Sequence, residues 1–127
     1  MGVQVFNAED HGEMIKSWWM SRGVDFDISI LPSTGFIVDE IAAGWIYLDV
    51  ESKVGWLAWT IADKHAPFIK RGKAVEEVTR LLEELAKEAN VKFIMASTEN
   101  KSLGKLYSKA GFIVAEEGKT DYIKRVS

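Results

Sequence analysis

Thr98-Glu99-Asn100-Lys101-Ser102-Leu103-Gly104-Lys105-Leu106-Tyr107-Ser108-Lys109-Ala110-Gly111-Phe112 is the stretch on which the reading of the fold turns. It reads as the end of a strand, a turn, a short amphipathic helix and a glycine stop. Asn100 is placed to cap the helix through its side-chain oxygen. Leu103, Leu106, Tyr107 and Ala110 recur at spacings of three and four, so they share one face. Gly111 stands where a left-handed residue ends a helix without steric cost, and Phe112 opens an apolar strand. A helix-to-strand connection in an α/β core accounts for most of this pattern.

Upstream lies the clearest helical pattern of the chain. Val75, Val78, Leu82, Leu85 and Ala89 step by three and four, with Leu81 and Ala86 widening the stripe. Glu76, Glu77, Glu83, Glu84, Lys87 and Glu88 make the opposite face a solvated one. Asn90 ends that helix, and Val91 to Ala96 reads as a buried strand. Asp63 to Lys73, with Pro67 and two basic clusters, reads as the loop before the helix. Further upstream, Phe36-Ile37-Val38, Ala43 to Val50 and Val54 to Ile61 are strand-like, separated by breaks of hairpin length at Asp39-Glu40 and Glu51-Ser52-Lys53. Such short loops imply an antiparallel three-strand meander. Residues 24 to 34 mix turn formers (Asp25, Asp27, Pro32, Ser33, Thr34) with the apolar anchors Phe26, Ile28, Ile30 and Leu31. Ahead of them, Ala8 to Arg22 is helical, with Met14 and Trp18, and Ile15 and Trp19, at helical spacing. Adjacent tryptophans invite a reading as a ligand platform; packing of a helix against a sheet is the commoner use. Val3 to Phe6 supplies a first strand. Phe112 to Ala115 and Tyr122-Ile123 are expected to close the chain as two strands.

The order is therefore β-α-(α)-β-β-β-α-β-α-β-β, a mixed sheet with helices on both faces, in the α/β (α+β) class. The 127 residues are expected to form a single domain, 1–127, large enough to bury about two-thirds of its unfolded surface. A hydrophobic fraction of 47% and a charged fraction of 28% are ordinary for a globular protein. A net charge of −3 argues against a protein whose main work is gripping nucleic-acid backbone, even with Lys64, Lys70, Arg71 and Lys73 close together. The sequence has no cysteine, which removes disulfides, thiolate metal sites and cysteine nucleophiles together. The amino terminus lacks the pattern of a signal peptide and no apolar run has membrane-spanning length, so a cytoplasmic location is expected, with no membrane partner.

Asn100, Tyr107 and the Lys109-Ala110-Gly111-Phe112 run, together with the element order, resemble the GNAT superfamily of N-acetyltransferases over nearly the whole chain. The compact size and the Leu-Pro-x-x-Gly-x-x-Val-x-x-x-x-Ala-Gly arrangement from Leu31 to Gly44 are similar to small GNAT-like proteins of tailed bacteriophages. The resemblance implies direct transfer of the acetyl group of acetyl-CoA to an amine acceptor, a small molecule or a protein, without a covalent enzyme intermediate. It implies that Asn100 helps hold the pantetheine arm and that Tyr107 protonates the departing thiolate. Carbonyl polarisation would come from backbone donors around Trp59, Thr60 and Ile61, where such sheets splay open. Phosphates are commonly held by N–H groups at a helix start. The family pattern there is Gln or Arg, two residues, Gly, one residue, then Gly or Ala.

Two alignments fit that pattern partly. Starting at Arg71 puts Ala74 and Glu76 at the small positions; starting at Ile69 puts Gly72 and Ala74 there and loses the basic residue. Arg71, Gly72, Lys73 and Ala74 are the candidate phosphate residues, and Glu76 would repel a pyrophosphate unless it faces solvent. Glu40, Asp49, Asp63 and His65 are candidate bases without a spacing signature, and His11 is a weaker one. A water chain would serve instead. No metal is implied. A homodimer is the assembly to test for. The degenerate phosphate segment keeps a rival open: a GNAT-like binding module without chemistry, acting in a virion or against a host protein.

Overall fold

The computed structural model describes residues 2–98, 100–118 and 120–126. The chain divides into two compact units, Met1–Ser97 and Thr98–Ser127.

In the first unit the order is β1 (Val3–Val5), α1 (Ala8–Met20), a 3-10 turn at Ile28–Ile30, β2 (Gly35–Val38), β3 (Ala42–Asp49), β4 (Val54–Ala62), α2 (Phe68–Glu88) and β5 (Phe93–Ala96). The strands form one sheet in the order β1-β2-β3-β4-β5. The first four pair antiparallel, and β5 joins β4 in parallel through the α2 crossover. The expected meander is present. The segment between α1 and β2 holds a single 3-10 turn, capped by Asp27, whose carboxylate accepts from the Ser29 amide at 2.9 Å.

Alternation along β3 sends neighbouring residues to opposite faces of the sheet. Ala43 and Trp45 join Phe6, Ile37 and Ile61 in a buried cluster with Ile15 and Trp18 of α1. Gly44 faces the other way, where a Cβ would stand 2.7 Å from Val78 Cγ1 of α2. A side chain there would hold α2 off the sheet. Ala74, Val78, Leu82 and Ala86 are the buried stripe of α2, and complete burial of Val78 or Leu82 is worth about 1.5–3 kcal/mol each. Gly35 lies across from Trp45 in the ladder. An added Cβ would run into the Trp45 indole, so that glycine is where the largest core side chain lies against the sheet.

α1 starts at an Asn7 cap whose side chain accepts from the Glu9 and Asp10 amides. The chain turns away just past its end at Gly23, with φ +79°. α2 starts at Phe68, earlier than the sequence pattern implies: the expected loop to Lys73 is already helical from Phe68 onward. Nothing from Phe68 to Lys73 breaks a helix except the weak former Gly72, and Pro67 cannot continue it upstream for want of an N–H.

The second unit contains α3, Lys101–Lys109, whose Asn100 cap accepts from the Leu103 amide at 3.0 Å. Gly111 follows at φ +96°, and Tyr107 and Phe112 rings lie 5.2 Å apart. The two closing strands expected at Phe112 to Ala115 and at Tyr122-Ile123 are not formed among the described residues. Ile113, Val114, Tyr122 and Ile123 are each exposed. β-branched and aromatic residues favour a strand only where a neighbouring strand and a covered face receive them, and none does so here.

Candidate functional site

β4 outruns β5. The parallel ladder stops at the Leu57–Ala96 pair, whereas β4 continues to Ala62. From Ala58 onward its outer edge has no ladder partner among the described residues of this unit. That edge leaves main-chain donors and acceptors of β4 outside the β4–β5 ladder.

The same segment carries a bulge. Ala43 pairs with Ile61 and Trp45 with Ala58, so two residues of β4 stand where β3 has one, Gly44. Trp59 takes up the excess at φ +62°. A bulky residue in the left-handed region is unusual, and such conformers cost about 1–3 kcal/mol and gather at functional sites. After the bulge, Thr60 faces Gly44, with its Oγ1 3.2 Å from where a glycine Cβ would sit. Ile61 returns to the buried cluster at 4% exposure.

Side chains hold the bulge from the α1 side. Trp59 meets Phe26 edge-on at 5.1 Å and Trp19 edge-on at 6.4 Å, and Trp19 stacks on Phe26 at 5.0 Å. Trp59 Nε1 donates to Tyr47 Oη at 2.8 Å, and Tyr47 Oη donates to the Ile30 carbonyl at 2.8 Å. Of the adjacent pair expected to pack α1, Trp18 belongs to the buried cluster and Trp19 belongs to this aromatic group. Tyr47 was not singled out from the sequence. It lies twelve residues from Trp59, and only hairpin register brings the two together. The end of β4 is tied as well: Arg22 Nη2 donates to the Ala62 carbonyl at 2.8 Å, and Lys64 Nζ to the Ser21 carbonyl at 2.7 Å.

Past the Asp63–Pro67 connection, α2 begins without a side-chain cap and without an acidic residue in its first turn. The Arg71 amide already bonds the Pro67 carbonyl at 2.9 Å. The amides left over by helical geometry are those of Phe68, Ile69 and Lys70. Gly72, Lys73 and Ala74 lie in the second turn, where their N–H groups serve the helix itself. Gly72 and Lys73 are exposed and Ala74 is buried. Arg71 lies 5.6 Å over the Phe68 ring, and its Nε is buried with no hydrogen-bond acceptor among the described residues. An unpaired guanidinium nitrogen beside a helix start without carboxylates suits an anion. Glu76 is exposed.

The remaining sequence candidates fall as follows. Asn100 caps α3, and Tyr107 is 8% exposed within the second unit. Glu40 sits in the β2–β3 turn at φ +54°. Asp49 accepts from the Glu51 and Ser52 amides at the β3–β4 turn, which lowers its pKa, the Ser52 backbone bond contributing most. Asp63 accepts from the His65 amide at 3.0 Å. His11 Nδ1 accepts from the Asn7 amide at 2.9 Å, a local bond within the α1 start. Among the described residues, no three His, Cys, Asp or Glu side chains gather as metal ligands, and no helix is long and apolar enough to cross a membrane.

A five-strand mixed sheet with α1 and α2 on opposite faces, a bulged β4 and a short parallel β5 beside it make up the acyl-CoA N-acyltransferase, or GNAT-like, fold. Solved structures bear this out. A protein from Thermus thermophilus matches with a TM-score of 0.73 at 11% identity, covering 100% of both chains. An aminoglycoside N-acetyltransferase in complex with CoA matches with a TM-score of 0.68 at 17% identity, over 98% of this chain and 100% of that one. The N-acetylglutamate synthase of Neisseria gonorrhoeae, complexed with coenzyme A and N-acetyl-glutamate, matches with a TM-score of 0.70 at 15% identity, over 91% of this chain and 28% of the synthase. No protein-family profile and no curated protein sequence matches this chain. The likeness is thus one of fold, with solved acetyltransferases among the proteins that share it.

Proposed function

We propose that the protein is an N-acetyltransferase of the GNAT type, moving the acetyl group of acetyl-CoA directly to an amine acceptor. The observation that carries this reading is the open outer edge of β4 beside the bulge at Trp59. An extended amide-bearing arm can lie along that edge as a further strand would. Acetyl-CoA supplies the activated acetyl group. Backbone donors of Trp59 and Thr60 polarise the acetyl carbonyl while the acceptor nitrogen forms the new C–N bond and the C–S bond breaks; the Ile61 N–H, expected from the sequence to join them, is turned to β3 opposite Ala43. Such donors, fixed in place beforehand, commonly contribute the largest share of acyl-transfer catalysis.

The resemblance of the sequence assigns the proton for the leaving sulfur to the Tyr107 phenol, and the acceptor's surplus proton leaves through water. Asn100 holds the pantetheine arm with its side-chain NH2, since its Oδ1 is occupied by the Leu103 amide. The phosphates meet the Phe68, Ile69 and Lys70 amides together with the Arg71 and Lys73 side chains. The cost of the unpaired Arg71 Nε would be relieved on binding. Aromatic side chains from α1 and from the segment before β2 line the acceptor side. A homodimer, a cytoplasmic location and a phage origin complete the reading as proposals resting on the resemblance of the sequence.

A second reading has one observation in its favour. α2 opens on Phe68 and Ile69, 75% and 70% exposed, and neither alignment of this segment with the family's phosphate pattern is complete. That surface suits a GNAT-like binding module that has given up its cofactor. Calorimetric titration with acetyl-CoA, with CoA in comparison, separates the two. Micromolar binding, about −8 kcal/mol, supports the transferase. Absence of binding at millimolar cofactor rejects it in favour of the module.

A further inference from the structure

Trp59 holds a backbone conformation that a tryptophan disfavours, and it does so without help from glycine or from a β5 ladder. What holds it is its side chain. The indole N–H ends on Tyr47 Oη at 2.8 Å, the ring is boxed by Phe26 and Trp19, and Tyr47 is itself anchored on the Ile30 carbonyl at 2.8 Å. The phenol therefore joins the bulge, β3 and the 3-10 turn that precedes β2. Ile30, Tyr47 and Trp59 come from three separate elements, and one hydroxyl both accepts and donates to close the chain of bonds.

We propose that Tyr47 is a positioning residue. It clamps Trp59 in the left-handed state and so fixes the direction in which the Thr60 amide faces the open edge of β4. The inference rests on the acyltransfer reading for its consequence, since that amide is assigned to the acetyl carbonyl. It does not rest on that reading for the clamp itself. Freed from the phenol, Trp59 relaxes between the left-handed state and extended conformers, and the edge loses its preformed donors. Anything that moves the Ile28–Ile30 turn, as an acceptor seated there would, reaches the carbonyl donors through the same hydroxyl.

Tyr47→Phe keeps the ring and removes the hydroxyl; Trp59→Phe keeps an aromatic ring and removes the donor. In NMR relaxation dispersion on the free full chain, both variants are expected to show millisecond exchange confined to residues 58–62, absent from the wild type. A flat profile in both overturns the clamp. In calorimetry, wild type is expected to bind acetyl-CoA more tightly than CoA, and Tyr47→Phe to lower that ratio by about fivefold, the size of one lost neutral hydrogen bond, with CoA affinity unchanged. A role limited to stability would leave the ratio where it was, and that result overturns the positioning role. If wild type binds neither nucleotide, the acyltransfer reading falls together with the positioning role, while the dispersion profile still decides the clamp.

Discussion

Tyr107 and Asp49 show how much a single side chain can be asked to do here. Tyr107 is buried to 8% exposure, with its ring 5.2 Å from that of Phe112. If it supplies the leaving-group proton, Tyr107→Phe should reduce turnover at neutral pH by about 10²-fold or more while leaving acetyl-CoA affinity nearly unchanged. Steady-state kinetics beside calorimetry checks both halves, and an unchanged rate removes the tyrosine from the mechanism. Asp49, by contrast, is a turn-maker. Its carboxylate is held below its ordinary pKa, first by the Ser52 backbone N–H and then by the Ser52 side chain and the Glu51 amide. A carboxyl with a depressed folded pKa adds stability that is present above its unfolded pKa of about 4 and is lost as pH falls through the folded value. Urea unfolding of wild type and Asp49→Asn between pH 7 and pH 3 should therefore give curves that converge on the acid side. A gap that stays constant with pH would assign the loss to the turn's geometry alone.

At the scale of elements, two contacts set the site. The β2–β3 connection bonds the Ile41 amide to the Val38 carbonyl at 2.9 Å, with Asp39 and Glu40 both left-handed at φ +53° and +54°. That is the turn whose hand suits a twisted hairpin, and glycine is its usual second residue. Glu40→Gly should raise stability by about 0.5–1 kcal/mol, the relief of the left-handed conformer less the added freedom of the unfolded chain. A neutral or negative change in urea unfolding would mean the Glu40 side chain does something the turn needs. The second contact is α2 on β3. Gly44→Ala places a methyl against Val78 and Leu82, and overpacking of this kind costs about 1–3 kcal/mol. Because Gly44 stands opposite the bulge, the same variant should also weaken acetyl-CoA binding, whereas the matched core truncation Leu82→Ala should lower stability without moving that affinity. Calorimetry on both variants separates the effects.

For the whole molecule, ligand linkage gives the broadest check. A nucleotide that binds only the folded chain raises its stability by about 2.7 kcal/mol at a hundredfold excess over Kd, so acetyl-CoA should raise the melting temperature in proportion to the logarithm of its concentration. Fold class, element order up to α3, the Asn100 cap and the two-sided burial of the sheet were legible in the residues, because periodicity and capping are local rules that one segment satisfies by itself. The early start of α2 was not, since Phe68 to Arg71 carries neither a breaker nor a capping side chain and helix is decided there by what Pro67 prevents. The apolar runs at Phe112 to Ala115 and Tyr122-Ile123 misled for the opposite reason: a strand is a pairing, and propensity cannot supply the partner. The candidate site divides along the same line. Residue types settled that the chain could offer an amide edge, basic side chains before and within α2, and an asparagine and a tyrosine on α3. Only tertiary structure decided that β5 stops at Ala96 while β4 runs on, that Trp59 takes the bulge at positive φ, and that Tyr47 holds it there. Those features depend on register between strands distant in sequence, and register is fixed by which side chains can share one buried face.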